Sequence, residues 1–169
     1  MKQVGPYFEG EERISKLIET TRSWAGTPYR HMGECKQGGV DCTKLLAFIF
    51  VELGLMEKVD AQYYGTDWFV GSEVEVVLVS FTTHLARWLK DGLDWHLLKY
   101  NTIEGKPTKL YPGDILLMTL NDRGTCNHTA MYMGARKMFH VIQGLAGAEM
   151  TDYSDYWADK VRFILRILE

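Results

Sequence analysis

The stretch from Trp24 to Leu55 reads WAGTPYRHMGECKQGGVDCTKLLAFIFVELGL, and its second half decides how the rest of the chain is read. Asp41 is a good N-cap residue, the run from Leu45 to Val51 is continuously apolar, and Gly54 is a suitable stop. The pattern predicts a helix over 42–53, about 18 Å long at 1.5 Å per residue, apolar on most faces and therefore buried. Cys42 falls in its first turn. There the unpaired N–H groups and the positive end of the helix dipole favour a thiolate, so Cys42 is a candidate nucleophile. Free cysteine is also among the most buried residue types, and a small packed hydrophobe is the alternative reading.

Upstream, residues 11–24 carry Ile14, Leu17, Ile18 and Trp24 at helical spacing behind an acidic start, which predicts an amphipathic helix. Thr27-Pro28-Tyr29 then forces an extended or turning chain. Downstream, Val74, Val77, Leu78, Phe81, Leu85, Trp88 and Leu89 suggest a helix over 73–90 closed by Asp91-Gly92. From Tyr111 the pattern changes. A turn at 111–114 leads into a short buried strand at 115–118, and 128–133 with 138–142 read as a hairpin. The alternation of Val161, Phe163, Leu165 and Ile167 with Arg162 and Arg166 predicts a half-buried strand over 161–168. Helices come first and strands afterwards, so the expected class is α+β with an antiparallel sheet, in one domain over 1–169 with an insert-like segment at about 55–110.

Several function classes are disfavoured. The net charge is −3 over 169 residues, and no stretch is dense in Lys and Arg, so there is no electrostatic footprint for nucleic acid. The run from Leu45 to Val51 is too short to span a bilayer, and the first twelve residues lack the apolar core of a secretory signal. Three cysteines (Cys35, Cys42, Cys126) have no framework spacing and read as reduced thiols. With His128 they do not match usual zinc spacings, so neither a metal nor a cofactor is expected. His84 and His96 read as surface or core-edge histidines.

A cysteine nucleophile needs a base, and the base needs an orienting group. His128 and His140 are the candidates, both in the predicted hairpin. Twelve residues apart, they share a face only if the loop holds an odd number of residues or a bulge intervenes, and a plain two-residue turn would separate them. A pair of histidines packed in a sheet with no catalytic role is the other reading.

The ordered set Gly26-Thr27-Pro28-Tyr29-Arg30, Gly39-Val40-Asp41-Cys42, Tyr111-Pro112-Gly113-Asp114, His128 through Gly134, and Phe139-His140 resembles the NlpC-type cysteine peptidases, papain-like endopeptidases of the bacterial cell wall. The wording around Tyr29 to Gly33, the Gly54-Leu55 helix end and Tyr-Tyr-x-x-Asp-Trp after it are most similar to the phage-tail-associated branch. The resemblance implies an NlpC-type fold, with the cysteine helix packed on an antiparallel sheet. It implies Cys42 as nucleophile, His128 as general base and then acid, and His140 as orienter, with Asn127 or Gln143 as substitutes. Tyr29 is expected to line the pocket near the thiol, with Asp41 and Lys44 among the substrate-binding positions, Asp41 serving as helix cap rather than triad member. Gly113 and Asp114 look structural. Backbone N–H groups at the start of the Cys42 helix are expected to hold the oxyanion.

Two departures from the family's usual wording stand out: Lys44 replaces a glycine, and Thr129-Ala130 replaces Val-Gly. The implied reaction is hydrolysis of a peptidoglycan stem peptide between D-glutamate and a diamino acid. The alternative is a decayed structural or docking component of a phage tail that binds wall peptide. Synthesis in the cytoplasm and delivery to the wall within a phage or prophage particle, among phage-tail proteins as partners, is the expected route.

Overall fold

The computed structural model describes residues 4–59, 76–100, 108–121 and 125–169. Among the described residues, four helices and eight strands follow in the order α1 (Glu11–Trp24), β1 (Glu34–Cys35), β2 (Gly39–Val40), α2 (Cys42–Glu52), α3 (Val76–Trp88), β3 (Asp94–Lys99), β4 (Ile115–Met118), β5 (His128–Gly134), β6 (Lys137–His140), β7 (Glu149–Asp152), α4 (Asp155–Ala158) and β8 (Val161–Leu168). β1 and β2 form a small hairpin, and the other six strands form one antiparallel sheet in the order β3-β8-β4-β5-β6-β7. The class is the α+β architecture expected, with α1, α2 and α3 ahead of the six-stranded sheet and α4 between its β7 and β8.

α2 forms where the apolar run predicts. Asp41 accepts the Lys44 N–H at 2.8 Å, and the chain leaves the helix through Gly54 at φ 73°. Leu45, Leu46, Ile49 and Phe50 are fully buried. At about 1.5–3 kcal/mol of transfer free energy per side chain, they anchor α2 against the sheet. The core on this face joins them to Leu17 and Trp24 of α1, Val77, Phe81 and Leu85 of α3, and Leu117, Met131, Met133, Phe139 and Leu165 of the sheet. A second cluster covers the opposite face, with Leu116, Met118, Ala130, Met138 and Ile164 under Tyr153 and Trp157.

Two expectations change here. β8 was expected to be half-buried, yet it lies between β3 and β4, and apolar side chains cover both of its faces. The segment expected to be insert-like also builds the fold: α3 supplies core residues, and β3 extends the sheet along β8. α3 starts at Val76; residues 60–75, which include the expected start at 73, lie outside the described residues, as do 101–107.

Asp114, at the start of β4, is nearly fully buried and bound in a fork by Arg166 of β8, with Nε at 2.8 Å and Nη2 at 2.7 Å. The Tyr111 N–H donates to the same carboxylate at 2.8 Å, which closes the Tyr-Pro-Gly-Asp turn. Burial pushes the Asp114 carboxyl up, against the pull of Arg166 and the Tyr111 N–H. Arg166→Ala leaves this carboxylate buried without its partner, and a loss of about 3–5 kcal/mol in urea unfolding is expected. A loss below about 1 kcal/mol would make the pair a surface-type contact.

Candidate active site

α2 begins where it does because one Asp41 carboxylate accepts two backbone N–H groups. Oδ1 accepts the Lys44 N–H, and Oδ2 accepts the Met32 N–H at 3.2 Å, so the cap also ties down the loop before the β1–β2 hairpin. Cys42 is thereby the first helical residue, and the N–H groups of Cys42 and Thr43 are left without an acceptor among the described residues. Lys44 is buried at 4% exposure, and its ammonium reaches the Met32 carbonyl at 3.2 Å and the Glu34 carboxylate. Its charge is therefore engaged within the hairpin rather than facing an open pocket. Asp41, 2% exposed, is a cap rather than an open substrate contact.

The hairpin meets its geometric condition through a bulge. Ala135 and Arg136 form a tight turn with φ of 47° and 56°, the two-residue type that alone would separate the histidines. Gly134 pairs with Lys137, but Tyr132 pairs with Met138, so Met133 is an extra residue on β5. Gly134 sits at φ 85°, where a side chain would be strained. Past the bulge, the register places His140 across from Ala130, diagonal to His128 and on the same face. His128 Nε2 and His140 Nδ1 are 2.9 Å apart, both rings almost fully buried. Trp157 of α4 covers the pair, 5.2 Å from His140 edge-to-face and 6.2 Å from His128. His140 Nε2 lies 2.9 Å from Thr151 Oγ1 on β7.

Cys42 meets β5 one residue along. The polar neighbours of its sulfur are the Thr43 hydroxyl at 3.9 Å and the N–H and hydroxyl of Thr129. Among the described residues no hydrogen bond joins the thiol to His128, whose Nδ1 stays unengaged. Strand parity is the reason: Thr129, Met131 and Met133 point towards α2, whereas Ala130 belongs to the cluster on the other face. His128 and His140 therefore lie on the Trp157 side of the sheet and Cys42 on the α2 side, so the structure brings the two imidazoles together but does not bring the thiol to them.

The electrostatics also correct an expectation. The helix N-terminus alone favours a thiolate, yet burial pushes the Cys42 thiol up, and the Asp41 carboxylate adds to the rise. The Thr129 N–H and hydroxyl and the Thr43 hydroxyl pull the other way. Enclosure outweighs the dipole, since burying a charge shifts a pKa by up to several units while a dipole end contributes at most about 2 kcal/mol. Burial lowers His128 to about 3, with His140 adding, and His140 to about 4. Tyr29, raised to about 12 by burial with Cys42 and Asp41 adding, keeps its phenol neutral within electrostatic reach of the thiol. Each of these shifts favours the uncharged form, although Cys42 itself is only half-buried.

Asn127 and Gln143 do not reach the pair. Asn127 Oδ1 accepts the Leu120 N–H at 2.8 Å, and Gln143 is exposed in the turn after β6. Cys35 is exposed and Cys126 buried, and among the described residues no group of three His, Cys, Asp or Glu side chains could hold a metal ion. His96 is exposed on β3, and His84 Nδ1 lies 2.8 Å from the Ser80 carbonyl within α3. The sequence reading missed Thr151, Trp157 and the role of Thr129. Only the last had a signal, a threonine directly after His128.

The profile of the NlpC/P60 family matches residues 26–166, which takes in every residue of this site. Among solved structures the chain is similar to the NlpC/p60 domain of the peptidoglycan hydrolase SagA, at 14% identity and TM-score 0.51, over 89% of this chain and 96% of that one. It is also similar to an NLP/P60-family protein described as similar to lipoprotein, from Staphylococcus aureus subsp. aureus, at 16% identity and TM-score 0.52 over 95% of this chain. A third is an NlpC/P60 family protein from Bacillus cereus, at 18% identity and TM-score 0.52 over 89% of this chain. This chain spans 43% and 39% of the length of those last two. No curated protein matches it in sequence.

Thr129→Val keeps shape and removes a buried hydroxyl beside the sulfur that has no hydrogen-bond partner among the described residues. The thiol should rise further, and Cys42 alkylation by iodoacetamide, followed from pH 6 to 10 with Cys35 and Cys126 changed to Ser, should shift to higher pH. An unchanged profile would remove Thr129 from the thiol's environment. The histidines set a second expectation. Both are depressed from 6.5 to about 3 and about 4, so the unfolded chain binds more protons below 6.5. Their contribution to stability is full above about pH 6.5 and is lost as pH falls towards 4. Thermal unfolding should show this fall, and the His128→Gln/His140→Gln variant should flatten it.

Capped at α2, registered by its bulge and matched from residue 26 to 166, the chain belongs to the NlpC/P60 family.

Proposed function

We propose that this single domain, 1–169, is a cysteine endopeptidase that cuts a peptidoglycan stem peptide between D-glutamate and a diamino acid. Members of the NlpC/P60 family are cysteine peptidases acting on peptidoglycan, and one similar structure is the NlpC/p60 domain of a peptidoglycan hydrolase. The observation that carries the reading is the His128–His140 pair, 2.9 Å apart, with His128 next to Thr129 on the strand that Cys42 meets.

In this reading the His128 ring turns about the start of β5, away from Trp157, to bring Nδ1 to the thiol. The proton passes from Cys42 Sγ to Nδ1 as sulfur attacks the scissile carbonyl, so the two charges form together rather than in advance. The N–H groups of Cys42 and Thr43 point out of the start of α2 and meet the oxyanion. His128 then returns the proton to the leaving amine, and water hydrolyses the thioester. His140 holds the ring of His128, and Tyr29 lines the approach. Delivery to the wall in a phage or prophage particle, with tail proteins as partners, rests on the motif wording around Tyr29.

A second reading has a specific support: burial raises the thiol and lowers both imidazoles, as in a site kept for wall-peptide binding without turnover. Incubation with purified muropeptides, followed by mass spectrometry, separates the two. Cleavage after D-glutamate is expected, with Cys42→Ser and His128→Ala lowering the rate by at least about 1,000-fold. Binding with intact peptide would favour the docking reading, and neither binding nor cleavage would remove cell-wall peptide as the ligand.

A further inference from the structure

Two hydrogen bonds run in line across three strands, from His128 Nε2 to His140 Nδ1 and from His140 Nε2 to Thr151 Oγ1, each 2.9 Å. A neutral imidazole has one donor and one acceptor nitrogen, so the two bonds lock the tautomers of both rings together. If Thr151 Oγ1 accepts from His140 Nε2–H, His140 Nδ1 must accept from His128 Nε2–H, and His128 Nδ1 is bare. If Thr151 donates, both rings invert. His128 Nδ1 then carries a proton and cannot take another.

We propose that Thr151 is a positioning residue at the end of a relay, and that its hydroxyl, by accepting from His140 Nε2–H, holds His128 in the tautomer that can act as a base. The proposal rests on the reading of Cys42 and His128 as nucleophile and base. The relay also has room for the proton. When Cys42 Sγ gives its proton to His128 Nδ1, the proton on His128 Nε2 can cross to His140 Nδ1. One proton leaves sulfur and one arrives on His140, leaving a thiolate and one imidazolium, and the same path reversed delivers the proton to the amine. The positive ring then has both N–H groups satisfied, by His128 Nε2 and Thr151 Oγ1. Without the hydroxyl, one N–H of a buried cation would be orphaned, the costly arrangement for such a group. Trp157 packs edge-to-face on His140, and Thr151 is half-buried on the edge strand β7.

The test is ¹⁵N NMR of the two imidazoles in the whole chain, with muropeptide kinetics on Thr151→Val and Thr151→Ser. In the wild type, protons are expected on Nε2 of both rings. Thr151→Val should give mixed tautomers and a kcat lower by about tenfold or more with KM unchanged, and its acid pH limb should move, because the wrong tautomer is inactive. Thr151→Ser should restore both. A wild-type proton on Nδ1 of either neutral ring overturns the proposal without any variant. So does a Val variant with the wild-type tautomer and rate, or a Ser variant as impaired as Val. If no protein turns over, the peptidase reading fails, while the ¹⁵N shifts still decide whether Thr151 sets the tautomer.

Discussion

The carboxylate of Asp41 is the constraint on which the site depends. Its oxygens accept the Lys44 N–H and the Met32 N–H, and so they fix both the first residue of α2 and the path of the loop that enters it. A cap one residue earlier or later would rotate the cysteine by about 100° around the helix. The buried Lys44 reinforces the same point from the other side, since its ammonium holds Glu34 and the Met32 carbonyl in the hairpin that precedes the cap. A residue that looked like a departure near the nucleophile is thus part of the scaffold beneath it.

The sheet does the complementary task for the histidines. The loop after β6 returns through Gly147, where a Cβ would lie 2.7 Å from the backbone of Gly26. The Ala148 N–H there donates to the Thr27 carbonyl at 2.8 Å, and Ala148 accepts the Gly26 N–H at 2.8 Å. These bonds join the β6–β7 side of the sheet to the Thr-Pro-Tyr approach to the thiol. The resulting enclosure suppresses charge on cysteine and histidine alike.

Much of the architecture was legible in local pattern. α1, β4 and β8 begin and end where periodicity places them, because each has a run of apolar residues at the period of its own element. β3 and β7 left no such trace. β3 exposes most of its side chains along Asp-Trp-His-Leu-Leu-Lys, and β7 is four residues of Glu-Met-Thr-Asp at the sheet edge. Edge strands are held by backbone pairing with a neighbour rather than by burying a face, and pairing writes little into sequence. The double-sided burial of β8 was hidden for a related reason: its place between β3 and β4 follows from sheet order.

By itself the sequence determined the helix that bears Cys42, its cap, the hairpin with His128 and His140, and membership of a recognisable ordered motif set. Each of these depends on neighbours in the chain, through capping, turn preference or apolar period. Only the tertiary structure decided the rest. A bulge at Met133 set the two imidazoles on one face, β7 brought Thr151 to His140, and α4 laid Trp157 over the pair. It also decided that the thiol meets Thr129 and is pushed towards its uncharged form, since burial is a property of everything packed around a group and not of the residues beside it in the chain.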